Sequence, residues 1–420
     1  MTVKQGAKTA MPRLRFPGFR QAGGWTAAKL GELFTDRQET GATDLPLLSL
    51  MDKEGIVPQE ETNRKDNSNA DKSKYLRVVP GDIAYNTMRM WEGRSAYVDM
   101  EGLISPAYTV CAPNEGTYSR FFSYYFKTEW LISQFRKYSQ GLVKDTLNLK
   151  FDNFKRVEVA YPSNVQEQQK IAACLASLDE VITAQGRKVE ALKAHKRGLM
   201  QQLFPREGET RPRLRFPEFR NAPEWSESRL GQLVELQSGA TPSKANPEFW
   251  NGKIPWVSAK DMKQLFLEDS EDHISSAAIE SGAKTVPSGS LLILTRGMTL
   301  LKDVPICVVR RDMALNQDVK ALRPKDGVES MFLAFLLMAS KERLLAMVDI
   351  AGHGTGKLDT DGLRDFGLAI PKPEEQQRIA DCLSSLDTRI TAETNQLSAL
   401  KTHKQGLMQQ LFPAPEATGA

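Results

Sequence analysis

The sequence contains few of the residues that build metal sites and disulfide frameworks. Among 420 residues there are 4 cysteines and 4 histidines. The cysteines are far apart and form no CxxC pair, which argues against a zinc site or a disulfide framework. We expect reduced thiols at Cys111, Cys174, Cys307 and Cys382.

Long hydrophobic runs and a strong net charge are also missing. No stretch reaches the roughly 18 apolar residues that a membrane helix needs, and the start, MTVKQGAKTAMPRLRF, lacks the apolar core of a signal peptide. We therefore expect a cytoplasmic protein with no membrane contact. The formal net charge is only +4, from 56 basic and 52 acidic residues. Any contact with nucleic acid must come from local patches, because the overall field is weak.

The sequence contains no recognisable catalytic constellation. NPEFW at 246–250 differs from the N-P-P-[FY] signature of amino-group methyltransferases at Glu248, and no Gly-rich turn for S-adenosylmethionine accompanies it. GHGTGK at 352–357 is too short for a phosphate-binding loop. We expect the chain to be no enzyme by itself, to bind no metal and to hold no cofactor.

What the sequence does contain is an internal repeat. The segment at 166–205, which ends GLMQQLFP, matches the segment at 374–413 at 26 of 40 positions without a gap. PRLRFPGFRQAGGW at 12–25 is answered by PRLRFPEFRNAPEW at 212–225. The chain is therefore two tandem copies of one module.

The segments between the copied sequences have diverged and show mixed structure. Short β-like runs such as LRVVPGDIAYN and SGSLLILTRG are broken by Gly, Pro and Asn, and helical patterns follow at 121–138 and 331–348. We predict an α+β fold made of two mixed domains that two long helices join. The predicted boundaries are 12–162 for the first domain, 163–205 for the first helix, 212–371 for the second domain and 372–413 for the second helix.

Each predicted long helix carries a continuous apolar stripe. The 3.5-residue period predicts a coiled-coil seam that needs a partner helix, and the simplest partner is the other copy. An antiparallel pair would form a rod about 50 Å long with one globule at each end. The alternative is that each helix is a core helix of its own independent domain. The predicted seam consists of Ile171, Leu175, Leu178, Ile182, Val189, Leu192, Leu199 and Leu203 with Ile379, Leu383, Leu386, Ile390, Leu397, Leu400, Leu407 and Leu411.

Cationic, polar and aromatic residues in turn-rich segments are the candidate DNA contacts, because such side chains bind phosphates and base edges. In the first half these residues are Asn86, Arg89, Trp91, Arg94, Gln140, Lys144, Thr146, Asn148 and Lys150. In the second half they are Thr241, Ser243, Lys244, Trp256, Ser258, Lys260, Arg296, Lys302, His353, Thr355 and Lys357. For any single residue, solvated surface charge is the alternative.

The chain resembles the specificity subunit of type I restriction-modification systems. The resemblance is carried by RLRFPEF with a following Trp at the start of a half, by GDIAYNTMRMWEG and SPAYTV in the first variable region, by GATPSKANPEFWNGKIPWVSAKDM in the second, and by EQQ(K/R)IA at the start of each long helix. It covers residues 12–413.

The resemblance implies two target recognition domains, each reading one half of a split double-stranded DNA site. It also implies that the helices set the gap and hold two modification (methyltransferase) subunits, and that restriction (translocase-nuclease) subunits join the complex. S-adenosylmethionine, ATP and magnesium would be bound by those partners. Because the two domains differ in surface, we expect an asymmetric site. A non-DNA-binding assembly scaffold of a multisubunit complex is the alternative function.

Two further expectations concern the helices. Charged residues along them are candidates for docking the modification subunits, with solvated charge as the alternative: Lys188, Glu190, Lys193, Lys196, Arg197, Lys401 and Lys404. The copied RLRFP segments are expected near the helix ends, with residues from Pro12 at the end of the second helix and residues from Pro212 at the end of the first. Leu14 should then lie close to Leu411.

Overall fold

The computed structural model describes residues 10–51, 55–62, 69–350 and 354–413. The chain divides into two compact units. The first unit comprises Met1–Gly186 and Asn395–Ala420, and the second comprises Arg187–Thr394. The first unit thus combines the N-terminal part of the chain with its C-terminal end.

The first unit is a mixed α+β globule. Its strands are β1 (Thr26–Lys29), β2 (Phe34–Asp36), β3 (Leu48–Met51), β4 (Gly55–Pro58), β5 (Leu76–Val78), β6 (Ile83–Asn86), β7 (Ser95–Tyr97), β8 (Gly102–Ile104), β9 (Tyr108–Pro113) and β10 (Glu158–Tyr161). Its helices are α1 (Leu30–Leu33), α2 (Ser119–Tyr125), α3 (Glu129–Tyr138), α4 (Phe151–Phe154) and the first half of α5 (Val165–Leu203), together with the second half of the last long helix, which begins at Pro373. Strands β2, β9, β6 and β7 form a four-stranded sheet in that order.

Helix α3 shows how the local sequence produces an element that packs into the core of this unit. Thr128 precedes the helix, and its side chain accepts a hydrogen bond from the Leu131 amide, so the first turn is capped. Leu131 and Phe135, one turn apart, are the buried residues of α3. The Phe135 ring lies 5.4 Å from Phe126 and 5.9 Å from Phe154. The C-terminal part of the helix therefore packs on the aromatic core, and the loop that follows it is exposed.

The second unit has the same mixed character with larger sheets. Its strands are β11 (Ser226–Arg229), β12 (Val234–Ser238), β13 (Ile254–Val257), β14 (Phe266–Leu267), β15 (Asp272–Ile274), β16 (Thr285–Val286), β17 (Leu291–Leu294), β18 (Arg296–Gly297), β19 (Ile306–Val309), β20 (Met313–Leu315), β21 (Val319–Pro324), β22 (Val348–Ile350), β23 (Gly356–Leu358) and β24 (Gly367–Ile370). Its helices are α6 (Leu230–Leu233), α7 (Ser276–Glu280), α8 (Ser330–Ala339), α9 (Lys341–Ala346), α10 (Thr360–Arg364) and the first half of α11 (Pro373–Leu411), together with the second half of α5.

The core of the second unit forms around the apolar run of β17. All four residues of β17 are buried, since the strand lies between β21 and β19 in a five-stranded sheet ordered β12-β21-β17-β19-β14. Helix α8 is buried from Phe332 to Leu337, as expected for a helix that is apolar on all sides. A second sheet, ordered β15-β13-β20-β16, carries a smaller apolar cluster around Trp256.

The two long helices each run through 39 residues, about 58 Å at 1.5 Å per residue. In the second unit, Lys188 pairs with Glu393 at 2.5 Å and Lys196 with Asp387 at 2.6 Å, so the helix segments there are antiparallel. The predicted antiparallel arrangement is confirmed within this unit. The alternative, that each helix belongs only to its own domain, is wrong, because each helix is divided between the two units.

The end of each long helix completes the core that begins with the other copy of the module. Leu411 and Phe412 belong to the apolar cluster around Trp25 in the first unit. Leu203 and Phe204 belong to the cluster around Trp225 in the second unit. The first core thus includes a helix end that is distant in sequence from most of its fold, whereas the helix end in the second core directly precedes its fold in sequence.

The copied RLRFP segments lie at these helix ends, as the sequence predicted. The Leu14 amide donates to the Gln410 carbonyl at 3.0 Å, and the Leu214 amide donates to the Gln202 carbonyl at 2.9 Å. Leu14 also packs on the cluster that contains Leu411. The predicted proximity of Leu14 and Leu411 is confirmed.

The predicted seam residues lie along the inner sides of these helix segments. None of the sixteen is exposed. Those near the helix ends are buried in the unit cores: Ile171, Leu175 and Leu411 in the first unit, and Leu203, Ile379 and Leu383 in the second. Most of the remaining seam residues are half-buried, because fewer neighbouring side chains cover the middle of each helix.

An ion pair explains why RLRFP, the following Trp and EQQ were copied together. Arg15 donates from two nitrogens to the Glu167 carboxylate, both at 2.7 Å, and the Trp25 indole donates to the same carboxylate at 3.3 Å. The second unit repeats this geometry with Arg215, Glu375 and Trp225. Both carboxylates are buried, so each needs its guanidinium. The copied residues therefore fix the framework and leave the segments between them free to vary.

Candidate nucleic-acid interface

The first candidate loop of the first unit follows β6 and is a closed turn. The Asn86 side-chain oxygen accepts a hydrogen bond from the Met88 amide at 3.0 Å, and the Trp91 indole donates to the Met88 carbonyl at 2.9 Å. Gly93 ends the turn at φ +80°, a conformation that favours glycine, and a Cβ there would lie 2.7 Å from the Ile132 side chain. The loop thus has one shape set by its own residues.

Two arginines project from this loop on either side of an acidic residue. Arg89 lies 3.2 Å and Arg94 3.5 Å from the Glu92 carboxylate, and the three side chains are substantially exposed. Exposed ion pairs of this kind contribute little to stability and are readily exchanged. The guanidinium groups can therefore turn to a phosphate or a guanine edge while Glu92 keeps them oriented in the free protein.

The second candidate loop of the first unit lies between α3 and α4 and is closed at its base. Gln140 and Asn148 exchange backbone hydrogen bonds at 2.8 Å in both directions. The Asn148 side chain donates to the carbonyls of Gln140 and Thr146. Gly141 has φ +141°, and a Cβ there would meet the Thr146 carbonyl at 2.5 Å, so glycine is required. Lys144 is exposed on the loop and Lys150 at its end.

The structure brings these two loops together. The Leu149 amide, at the end of the second loop, donates to the Thr87 carbonyl in the first loop at 2.8 Å. Leu149 itself is buried in the aromatic core, which anchors the junction. Arg89, Arg94, Lys144 and Lys150 therefore lie on two loops with a common anchor point.

The second unit has the same junction, formed by a sheet. The Leu358 amide donates to the Thr295 carbonyl at 2.9 Å, and Leu358 is buried. Strand β18 follows this threonine and pairs with β23, which places Arg296 opposite Lys357. Lys302 follows the short 3-10 turn Met298–Leu301 and is exposed. In each unit the junction joins two segments: the loop that follows a central strand, and the segment that follows the second of two helices. The two junctions therefore occupy equivalent places in the repeat.

Two lysines of the second unit lie beside acidic residues. Lys260 lies 2.9 Å from Asp272 and 3.1 Å from Glu271, and its hydrogen bonds to these carboxylates raise its pKa. Lys357 lies 3.5 Å from Asp359, whose pKa is lowered by the backbone amides of Gly362 and Asp361. Each lysine therefore has a carboxylate beside it that a phosphate would have to displace.

The remaining candidates of the second unit divide into exposed groups and groups that build the loops. Thr241, Ser243 and Lys244 are exposed, and the Thr241 hydroxyl donates to Gln317. Ser258 is used locally, since its amide and hydroxyl both donate to Asp261. Thr355 is half-buried next to β23, and His353 lies outside the described residues.

One candidate is corrected by its burial. Trp256 is only 6% exposed, its indole donates to the Ala240 carbonyl at 3.0 Å, and its ring packs edge-on against Trp250 at 5.0 Å. Its side chain is a core element of the second unit and is not available to stack on a base. The aromatic pattern alone could not separate this core tryptophan from the half-exposed Trp91.

Three of the helix lysines that were candidates for docking a partner subunit instead form contacts within their own units. Lys196 pairs with Asp387 and lies 4.9 Å from the centre of the Phe335 ring. Lys404 pairs with Asp179 at 2.5 Å and lies 5.0 Å from the Tyr124 ring. Lys188 pairs with Glu393. These three side chains hold helix to helix or helix to core, and they are poor candidates for docking a partner.

The other proposed docking residues are free of such contacts or pair locally. Lys193 pairs with Glu190 one turn earlier on the same helix, and both side chains are exposed. Arg197 and Lys401 are exposed as well. A docking role therefore stays a prediction for these four residues.

Sequence reasoning missed a set of exposed apolar side chains at the two junctions. Met88, Leu142 and Val143 are exposed in the loops of the first unit, and Met298, Leu301 and Ile350 in those of the second. A signal is nevertheless present in the sequence, since the apolar pair Leu142-Val143 stands between a glycine and a lysine.

Within the described ranges, no group of three or more His, Cys, Asp or Glu side chains is arranged to hold a metal ion. No helix there combines the length and apolar character that crossing a membrane requires.

Comparison with known proteins identifies the family. The profile of the type I restriction modification DNA specificity domain matches residues 23–194 and again 223–402, which together make up most of the chain. The chain belongs to this family. The two matched ranges correspond to the two copies of the module, so each copy is one type I specificity domain.

Several specificity subunits are similar in sequence. The chain is 33% identical over 170 residues to the type I restriction enzyme EcoR124I/EcoR124II specificity subunit of Escherichia coli, which covers 40% of this chain and 42% of that protein. It is 29% identical to the MjaIX specificity subunit of Methanocaldococcus jannaschii, over 41% of that protein. The chain thus matches about two fifths of the length of these two relatives. The MjaVIII specificity subunit of the same organism is matched over 82% of its length, at 21% identity.

Solved structures with the same fold belong to the same kind of system. A chain from a structure on complex assembly and conformational transition of the type I R-M system matches with a TM-score of 0.58 and 17% identity, over 93% of this chain and 98% of that chain. The type I restriction-modification S subunit from M. genitalium matches with a TM-score of 0.58 and 15% identity, over 96% and 99%. At these identities the likeness shows that the type I specificity fold is shared.

Proposed function

We propose that this chain is the DNA-specificity subunit of a type I restriction-modification complex, in which each unit reads one half of a bipartite duplex site. The observation that carries the proposal is the repeated junction of two loops, which presents cations at equivalent places in both units. Cations on fixed loops bind phosphates and base edges. Membership of the specificity-domain family supports the same activity.

The two half-sites should differ in sequence. The junction of the first unit presents Arg89, Arg94 and Lys144, whereas that of the second presents Arg296 opposite Lys357, with Lys302 nearby. Base recognition depends on which donor stands at which place, so different side chains on a common framework select different bases. The proposed site is therefore asymmetric, with residues 12–162 and 212–371 as the recognition domains.

The chemistry is proposed to lie in partner subunits. Two modification subunits would bind S-adenosylmethionine and transfer the methyl group, and restriction subunits would use ATP and magnesium. The long helices would set the number of unread base pairs, since each is about 58 Å long and one turn of B-DNA spans about 34 to 36 Å. This chain would then select the site and catalyse no step itself.

Mapping of methylated bases in a host that expresses the complete system tests the proposal. The expected result is a single split motif with two different halves and an unread gap, which disappears when this chain is deleted. The reconstituted complex should also bind that motif with an affinity that falls steeply with salt, because binding cations release counterions from DNA. Binding that is indifferent to salt and sequence would indicate an assembly scaffold instead.

Substitution of one arginine in each unit separates the two halves. Arg89→Ala should weaken recognition of one half-site by about 1 to 3 kcal/mol and leave the base preference of the other intact, because only one unit loses a donor. Arg296→Ala should do the reverse. The measurement is methylation of a library in which each half-site is randomised separately.

Lys260→Ala is the matched control for these variants. Lys260 is an exposed cation held by Asp272 and Glu271, and it follows β13 in sequence and belongs to neither β18 nor β23. Its loss should change base preference in neither half. Equal losses at both halves from either arginine variant would contradict the assignment of one half-site to each unit.

A further inference from the structure

Exposed apolar side chains are concentrated at the two junctions. Nine large apolar side chains are exposed in the described part of the chain. Six of them lie in the junction loops: Met88, Leu142 and Val143 in the first unit and Met298, Leu301 and Ile350 in the second. A scattered exposed apolar residue needs no explanation, but the same placement in both copies of a repeat does.

The placement is equivalent in the two units despite their different sequences. Met88 and Met298 each follow a central strand of a sheet, β6 and β17. Leu142 and Ile350 each lie in the segment after the second of two helices, α3 and α9. Because the Leu149–Thr87 and Leu358–Thr295 hydrogen bonds join these loops in the same way, the loops that carry the apolar side chains share one anchor point in each unit.

The backbone holds the most exposed of these residues away from the core. Leu142 is fully exposed, at 101% of its reference area, and Val143 is 60% exposed. The bridge between Gln140 and Asn148 closes the base of the loop, and the Thr146 hydroxyl donates to the Val143 carbonyl at 3.0 Å. The loop is therefore fixed with its apolar pair at the tip.

The surroundings of these side chains are cationic. Lys144 follows Val143 directly, Arg89 follows Met88, and Lys302 follows Leu301. Arg296 and Lys357 face each other across the strand pair that lies between Met298 and Ile350. An apolar tip flanked by cations is complementary to a polyanion with an apolar interior. A DNA duplex is such a polyanion, because its phosphates lie on the outside and its stacked bases are reached through the grooves.

We infer that these six side chains form apolar tips that enter a groove of the DNA and pack against base pairs, while the neighbouring cations hold the phosphates. This inference rests on the proposed function. Apolar side chains pack against thymine methyl groups, and Leu, Ile and Met are among those that insert between base steps. Such contacts release no counterions, so they add to sequence preference without adding to the salt dependence of binding.

The test uses the full chain assembled with its partner subunits and the duplex that methylation mapping identifies. Replacement of both Leu142 and Val143 by Ser should lower affinity for that duplex about tenfold or more and leave affinity for unrelated duplexes unchanged. The slope of log affinity against log salt should stay the same. The exposure of both side chains means that the substitutions leave the core untouched.

Lys144→Ala is the matched control from the same loop. It should weaken binding to all duplexes alike and reduce the salt slope by about 0.9, as expected for one lost phosphate contact. Ile350→Ser should lower the affinity for the mapped duplex as the double substitution of Leu142 and Val143 does, but through the other half-site. Replacement of thymine by deoxyuridine in the duplex distinguishes methyl contacts, which it abolishes, from insertion between base steps, which it leaves in place.

Three results would overturn the inference. One is an affinity of the doubly substituted complex within about twofold of the original, and another is an equal loss on mapped and unrelated duplexes. The third is failure of the variant to assemble with its partner subunits, which would show that the tips dock a protein. If the unsubstituted complex itself prefers no sequence, the proposed function fails as well, and that result is distinct from the other three.

Discussion

Glu167→Ala should lower the free energy of unfolding of the first unit by about 3 to 5 kcal/mol, because it leaves the Arg15 guanidinium buried without its carboxylate. The Arg15 side chain is only 8% exposed, so water cannot replace the lost partner. The Trp25 indole loses its acceptor in the same step. Hydrogen exchange of peptides from α2 and α3 measures the effect, since these helices form the core around Trp25.

Two controls make this result specific. Glu180→Ala removes an exposed carboxylate from the same helix and should change exchange little. Glu375→Ala breaks the matching pair with Arg215 and should destabilise the second unit most, as read from peptides of α8. An unchanged rate in the first unit after Glu167→Ala would show that the ion pair is replaceable and does not hold the framework.

Phe412→Ala should destabilise the first unit by a similar amount, about 3 to 5 kcal/mol, because it opens a cavity in an aromatic cluster. The Phe412 ring stacks on Tyr125 at 4.9 Å and lies 5.3 Å from Phe121 and 6.4 Å from Trp25. The effect should appear in peptides of α2, although almost 290 residues separate Phe412 from that helix in sequence. Hydrogen exchange or thermal unfolding of the full chain measures it.

Gln409→Ala, at an exposed position one turn earlier, is the control for helix truncation effects and should be close to neutral. Phe204→Ala is the matching variant in the second unit, where the ring lies 5.7 Å from Phe332. If Phe412→Ala only frayed the end of α11 and left α2 protected, the helix end would be an appendage to the first unit and not part of its core.

The repeat made part of the fold predictable from the sequence. The seam from Ile171 to Leu203 predicted a long helix with a partner, since a 3.5-residue apolar period leaves a stripe that must be covered. The copied RLRFP segments predicted contact with the helix ends, which the Leu14 and Leu214 hydrogen bonds confirm. These predictions worked because periodicity and exact repetition are properties of the sequence itself.

The candidate interface was less predictable, for a physical reason. Trp256 and Trp91 both stand in segments that also contain polar and charged residues, yet one is a core residue and the other is half-exposed. Lys196 and Lys404 looked like surface charges, yet each is held by an aspartate and an aromatic ring within its unit. Burial and pairing depend on what other segments bring near, and local sequence does not record that.

The sequence by itself determined that the chain is a tandem repeat with two helical seams and two divergent inserts, because these are statements about spacing and identity. Only the tertiary structure decided that each core includes the helix end of the other copy, and that separate loops meet at Leu149 and Leu358. Only the tertiary structure showed that apolar side chains stand exposed among the cations at both junctions. Those outcomes depend on contacts between distant residues, whose energy arises when the chain closes on itself.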